Sequence, residues 1–140
     1  MRFILPAGIG LLAAFMAFMG AQKFTGPNPV FSYIADQSGI AVFEPGVRML
    51  TGAAEFAAAA LLIAGFFILA ARALGLLLSL GVLGGAIVFH LSPWLGINAP
   101  VAFDEAGDYV RSPMLFIMAV AFFAITLVLG YLERARRNAA

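Results

Sequence analysis

The 140-residue chain contains no cysteine and very little charge. The absence of cysteine excludes disulfides, thiol redox chemistry, cysteine-ligated zinc sites and iron–sulfur clusters. Charged residues make up 11% of the chain, against about 25% in ordinary soluble domains. The net charge of +1 gives no basis for nucleic-acid binding. Because 64% of so short a chain is hydrophobic, the lipid bilayer is its expected solvent and contact partner.

Four apolar spans account for most of this hydrophobicity. Each is close to the roughly 20 residues that a helix needs to cross a bilayer, and lipid cannot hydrogen-bond a free backbone. We therefore expect an all-α fold, with one transmembrane domain over residues 1–140. Its form would be an integral membrane four-helix bundle, with helices at about 3–24, 45–71, 73–91 and 112–133. A turn around Arg72 would make the second and third helices antiparallel neighbours.

The distribution of lysine and arginine predicts the orientation of the bundle. With the N-terminus inside, five basic residues lie on the inner side (Arg2, Arg72, Arg134, Arg136 and Arg137) and three on the outer side (Lys23, Arg48 and Arg111). This excess favours an N-in/C-in topology, and the expected location is the bacterial cytoplasmic (inner) membrane, crossed several times. A cleaved signal peptide is disfavoured, since Met19 stands where a small residue is needed.

The two outer loops differ in their signals. Asn28-Pro29 is a helix start and Gly39 a helix stop, so residues 29–38 are expected to form a short interfacial helix in the first outer loop. An irregular loop is the alternative. The second outer loop, residues 93–112, is acidic and is expected to be irregular. Trp94 in this loop is expected to lie at the membrane interface.

Glu55 is the one carboxylate placed deep in an apolar span. Arg48, within about the first turn of the same helix, is expected to snorkel to the interface and not to pair with Glu55. Lys23 and His90 end helices of opposite direction, so their side chains lean toward Glu55. The sequence thus predicts a polar cluster of Glu55 with Lys23 first and His90 second. Gln22 and Thr51 are added as hydrogen-bonding neighbours.

Several roles for this cluster remain open at this point. Glu55 could fix helix packing, form a ligand or proton site, or face a water-filled crevice. Small residues such as Gly52 and the segment "GVLGGA" (residues 81–86) favour close helix packing, so any cavity is expected to be small and mostly apolar. A single histidine is a weak signal for a metal site, and no metal, haem or flavin signature is present.

Three short motifs give the chain a resemblance to a known family. They are "GAQKF" (residues 20–24), "GAAEF" (residues 52–56) and "GAIVFH" (residues 85–90), together with a short loop between the second and third helices. In these features the chain resembles the DoxX-like family of small four-helix membrane proteins, over about residues 7–91. The resemblance implies that Lys23, Gly52, Glu55 and His90 occupy the family's recurring polar positions. It also implies a link to membrane redox systems, because members include subunits associated with quinone-linked sulfur oxidation.

Three functional hypotheses follow. The first is an accessory subunit, or a partner of a membrane redox system, that binds a quinone or another lipophile beside Glu55, Lys23 and His90. Its partner would be a membrane protein or a second copy of the chain. The second is a small proton-coupled transporter, and the third is a structural or assembly factor without a ligand. An intrinsic enzyme has the least support, because no nucleophile motif or substrate fingerprint is present, and no catalytic residue is assigned.

Overall fold

A computed structural model describes residues 3–138, and Arg2, assigned above to the inner side, lies outside that range. The described chain forms α1 (Ile4–Gln22), α2 (Pro29–Ser38), α3 (Gly46–Ala64), α4 (Leu69–His90), β1 (Ala99–Phe103), β2 (Tyr109–Ser112) and α5 (Met114–Asn138). A single 3₁₀ turn, Ala41–Phe43, precedes α3. Within this range four helices, α1, α3, α4 and α5, are long and apolar enough to cross a membrane. The predicted all-α transmembrane four-helix bundle is confirmed.

The four long helices form a closed ring in the order α1, α3, α4, α5, with α5 returning to α1. Their inward faces follow helical spacing, as in Ile9, Leu12 and Met16 of α1, which pack against Leu62 of α3. Their outward faces expose large apolar side chains, as lipid-facing surfaces do. We call the end that carries residues 23–45 and 91–113 the loop end, and the opposite end the turn end.

The connection between α3 and α4 lies earlier than predicted. The chain turns at residues 65–68, not around Arg72, which lies in the first turns of α4. Gly65 permits this turn, because a Cβ atom there would lie 2.6 Å from the Cβ of Arg72. The sequence of the turn, "GFFI", is as apolar as the helices beside it, so hydropathy did not reveal the boundary. The predicted bounds at residues 71 and 73 are therefore wrong.

The first loop at the loop end folds as predicted. α2 spans Pro29–Ser38, the Asn28 side chain accepts a hydrogen bond from the Val30 N–H, and Gly39 ends the helix with φ 71°. α2 packs on β1, so it covers the loop end of the bundle instead of standing apart from it. The short helix in this loop is confirmed.

The second loop does not fold as predicted, because it contains an antiparallel β-hairpin. β1 pairs with β2 from Ala99 opposite Ser112 to Phe103 opposite Tyr109. The Asp104 carboxylate accepts hydrogen bonds from two backbone N–H groups in the turn, and Gly107 supplies the positive φ of 87°. The expectation of an irregular loop is wrong. The acidic residues that suggested a solvated loop include the one that orders the turn.

Candidate ligand-binding site

A cavity of about 650 Å³ occupies the loop end of the bundle. Its walls come from all four long helices, and α2 and β1 form its roof. This volume lies within the range of about 300–1,000 Å³ that is typical of pockets for small molecules. The lining is mostly apolar, as expected, but the expectation of little internal space is wrong. Small residues leave this space unfilled, because Ala54 of α3 and Gly81 and Gly85 of α4 have little or no side chain to project into it.

The cavity also opens sideways, between α3 and α4. Leu50 on α3 and Gly81 and Gly85 on α4 line the cavity, and all three are exposed on the outer surface of the bundle. Toward the turn end the same two helices close tightly, since a Cβ atom on Gly75 would lie 2.9 Å from the backbone N of Leu62. Nearer the loop end a Cβ atom on Gly81 or Gly85 would meet no other atom within 4 Å, and this open side faces the region that lipid occupies.

An ion pair between Lys23 and Glu55 forms part of the cavity wall. The Nζ of Lys23 donates to Glu55 Oε1 at 2.8 Å and to the Met19 carbonyl at 3.2 Å. Nζ is also 2.8 Å from Oε2, but outside hydrogen-bonding geometry, so that Oε2 has no hydrogen-bond partner. Glycine brings the two helices together, because a Cβ atom on Gly52 of α3 would lie 3.0 Å from the Lys23 Cβ.

Arg48 has a different role from the one predicted. Its side chain is buried, so it does not reach out to water as an interfacial anchor. Its Nε donates to Glu44 Oε1 at 2.7 Å, and its Nη1 donates to the backbone carbonyl of Lys23. Arg48 forms no ion pair with Glu55 in the described chain. It instead fixes the end of α1, and with it the backbone that carries Lys23.

The remaining residues of the predicted cluster line the cavity without contacting Glu55 by hydrogen bonds. The Nδ1 of the buried His90 lies 3.0 Å from the Gly96 carbonyl oxygen. Thr51 Oγ1 donates to the Val47 carbonyl at 2.8 Å, which is a bond within its own helix. Gln22 is exposed at the end of α1. The prediction of His90 as a second partner of Glu55 is therefore wrong, although both side chains line one cavity.

Trp94 lies at the loop end, as the sequence suggested. The residue is 40% exposed, and its ring meets Phe43 edge-on, with the ring centroids 6.4 Å apart. Trp94 is not among the residues that line the cavity.

Sequence reasoning missed a second buried ion pair, at the turn end. Arg72 donates to Glu133 Oε2 at 2.9 Å and to the Gly65 carbonyl at 2.8 Å. Arg137 and Arg136 also approach Glu133, at 3.2 and 3.6 Å. A glutamate three and four residues before two arginines was the available signal. These residues do not line the cavity. The turn end thus holds a buried ion pair that is chemically similar to Lys23–Glu55 but lies away from the cavity.

Four side chains join α2 to the hairpin above the cavity, and we call them the roof clasp. Tyr109 donates to Asp36 at 2.8 Å, and Arg111 donates to the Tyr33 hydroxyl at 2.7 Å while its guanidinium lies 4.5 Å above the Tyr33 ring. Burial is the largest cause, and the hydrogen bond to the Asp36 carboxylate the next, of a rise in the pKa of Tyr109 to about 12. The clasp holds together the two elements that roof the cavity.

Comparison with known proteins yields a family and no individual relative. A family model described as the DoxX-like family matches residues 8–104. The matched range is more than half of the chain and contains Lys23, Glu55, His90 and most of the cavity roof. No curated protein and no solved structure matches the chain.

Proposed function

The chain belongs to the DoxX-like family, and on that premise we propose that this multi-pass membrane protein binds a small lipophile, of quinone-like size, in the cavity at its loop end. The polar end of the ligand contacts Glu55, and its apolar body lies among the side chains of the bundle interior. The protein then acts as an accessory subunit or partner of a membrane redox system, to which the bound molecule is supplied or from which it is received.

One observation carries the proposal: Glu55 lines a ligand-sized, mostly apolar cavity, and its buried Oε2 has no hydrogen-bond partner. Within residues 3–138 it is the single buried side-chain oxygen or nitrogen in this condition. The Lys23 ammonium lies 2.8 Å from Oε2 without hydrogen-bonding to it, and native structures seldom leave a buried oxygen in this state. A ligand that hydrogen-bonds to the Glu55 carboxylate would complete its hydrogen bonding.

The sideways opening supports a ligand that arrives from the membrane. Leu50, Gly81 and Gly85 border a gap on the lipid-facing side of α3 and α4. A molecule dissolved in the hydrocarbon could pass through this gap without crossing the polar loop end. Apolar walls with few polar groups are typical of such sites.

We extend the proposal to the setting of the protein. The location would be the bacterial inner membrane, with the turn end in the cytoplasm. Cytoplasmic ends of membrane proteins carry an excess of lysine and arginine, and the turn end carries Arg72, Arg134, Arg136 and Arg137. A reporter fused after Asn138, active in the cytoplasm, tests this orientation. Activity of a periplasm-specific reporter at that site would reverse it.

The test of ligand binding compares two matched variants. Wild type, Glu55→Gln and Glu133→Gln are purified in nanodiscs, and co-purifying lipophiles are identified by mass spectrometry. Like Glu55, Glu133 is a buried carboxylate in an ion pair, but its partner is an arginine and it does not line the cavity. We expect a lipophile in the wild type and in Glu133→Gln, with strong depletion in Glu55→Gln. Equal content in all three proteins would reject the site.

Loss of folding in Glu55→Gln would not leave the test undecided. The double variant Lys23→Met/Glu55→Gln has no unpaired charge at this position, and it serves as the folded variant that lacks the carboxylate. A folded double variant with full ligand content would reject the role of Glu55. That result would favour a structural factor, in which the ion pair joins α1 to α3 and does nothing else.

A proton-coupled carrier receives less support from the geometry. Discontinuous helices at the midplane are typical of secondary transporters. α1, α3, α4 and α5 are each continuous over their described lengths. Proton flux in proteoliposomes that is lost in Glu55→Gln and kept in Glu133→Gln would favour the carrier.

A further inference from the structure

The cavity is polar inside the bundle and apolar where it meets the lipid. Three buried, ionisable side chains line it from within the bundle, namely Lys23, Glu55 and His90. The residues that border its sideways opening are exposed and carry no polar side-chain atom, and they are Leu50, Gly81 and Gly85. This difference between the two sides gives a bound amphiphile a preferred orientation.

A polar head and an apolar chain have different reasons to leave the lipid. The head finds no hydrogen-bonding groups in hydrocarbon, so it gains by moving to the polar side chains inside the bundle. The chain gains little, because lipid tails are as apolar as the leucine side chains of a membrane protein. The head of an amphiphile therefore occupies the cavity, and nothing draws a long chain in after it.

The cavity is also too short to hold a long chain. Along α4 its lining runs from Leu78 to His90, which is about 18 Å at 1.5 Å per residue, whereas the hydrocarbon core of a bilayer is about 30 Å thick. Beyond Leu78 the helices close, because a Cβ atom on Gly75 would lie 2.9 Å from the backbone N of Leu62. A chain long enough to reach across much of the bilayer must leave the bundle.

Two parts of the cavity lining reach the surface of the protein. One is at the loop end, where the exposed lining residues are Gln22, Thr25 and Pro27. The other is the sideways opening, where Gly81 and Gly85 lie about 14 Å and about 8 Å before the end of α4. An apolar chain that left by the loop end would enter water, whereas the sideways opening leads into hydrocarbon.

We infer that the ligand is a long-chain amphiphile whose head lies in the cavity and whose chain passes between α3 and α4 into the lipid. Gly81 and Gly85 determine this specificity, because a side chain at either position would narrow the passage. The inference rests on the proposed function, since it specifies the ligand of the same cavity. The quinone-sized part of the ligand is the part that the cavity encloses.

Ubiquinones that share one head and carry one, two, four or eight isoprenoid units test the inference. Each probe is equilibrated between nanodiscs with and without the wild-type protein. Its excess in the protein-containing discs gives a Kd as a mole fraction of the lipid, from which partitioning of the probe into lipid cancels. We expect the same Kd, within about twofold, for two, four and eight units, because each added unit stays in the lipid.

A variant with a narrowed passage should lose the long chains selectively. Gly81→Leu/Gly85→Leu should fold, since a Cβ atom at either position meets no other atom within 4 Å and leucine favours a helix more than glycine does. Its Kd should be unchanged for one isoprenoid unit and about tenfold higher for eight, as overpacking of the passage predicts. Gly10→Leu/Gly130→Leu, at glycines with the same open space that do not line the cavity, is the control and should bind all probes as the wild type does.

The possible results separate the inference from the proposed function. A Kd that rises steeply with chain length in the wild type would show an enclosed chain, which overturns the inference and leaves lipophile binding intact. Equal binding of every probe by the wild type and both double variants would also overturn the passage between α3 and α4. Binding of none of the probes overturns the inference and the proposed function together. The wild-type series still decides whether the chain is enclosed if Gly81→Leu/Gly85→Leu does not fold.

Discussion

Lys23 ends α1, and its ammonium lies 2.8 Å from both carboxylate oxygens of Glu55, about two turns inside α3. This ion pair is buried on both sides and joins two neighbouring helices at the position where the cavity begins. The same contact therefore bears on the stability of the fold and on the chemistry that the cavity presents.

Breaking one side of this pair should destabilise the bundle. Lys23→Met leaves a buried carboxylate without its cation, and such losses cost about 3–5 kcal/mol. Lys23→Met/Glu55→Gln removes both charges, so its loss of stability should be smaller than the sum of the two single losses. Unfolding in mixed detergent micelles measures the double-mutant cycle. Strict additivity would contradict direct coupling of the two residues.

Narrowing the sideways opening should hinder ligand loading without altering the ion pair. Gly81 borders the opening, and a Cβ atom there would meet no other atom within 4 Å. Gly81→Leu should thus fold normally but acquire lipophile more slowly from labelled nanodiscs. Gly130→Leu, which also has open space but does not line the cavity, is the control. Equal loading rates in both variants would argue against entry between α3 and α4.

The roof clasp should weaken at high pH. Tyr109 has a pKa of about 12 in the folded protein, against about 10 for an unperturbed tyrosine. Because the folded state holds this proton more tightly, the stabilisation is fully present below about pH 10 and is lost as the pH rises through about 12. Ultraviolet absorbance of tyrosinate measures this titration as the difference between wild type and Tyr109→Phe. A difference curve centred at an unperturbed tyrosine pKa would contradict the clasp.

The turn-end pair should affect stability alone. Glu133→Gln leaves the buried Arg72 without its carboxylate and removes the group that offsets Arg136 and Arg137. We expect a loss of about 3–5 kcal/mol in the free energy of unfolding. Unfolding in micelles measures the loss. Stability unchanged from wild type would show that Arg72 finds another partner.

The sequence revealed those features that depend on local patterns. Asn28-Pro29 and Gly39 defined α2, and the opposite lean of Lys23 and Glu55 on antiparallel helices brought the two together. Non-local features were missed. The turn at residues 65–68 contains no polar residue that would mark it as a break between two helices. The partner of Arg72 is 61 residues away on another helix. The size of the cavity depends on how the helices pack at the loop end, which small residues influence but do not specify.

Photo-crosslinking with a diazirine-bearing lipophile tests the central claim most directly, since it reports where such a molecule resides. Leu78 and Met118 line the cavity, whereas their chain neighbours Leu77 and Ile117 are exposed on the lipid-facing surface. Binding in the cavity predicts adducts on Leu78 and Met118 that excess unlabelled lipophile abolishes. Adducts confined to Leu77 and Ile117, and unaffected by the competitor, would contradict it.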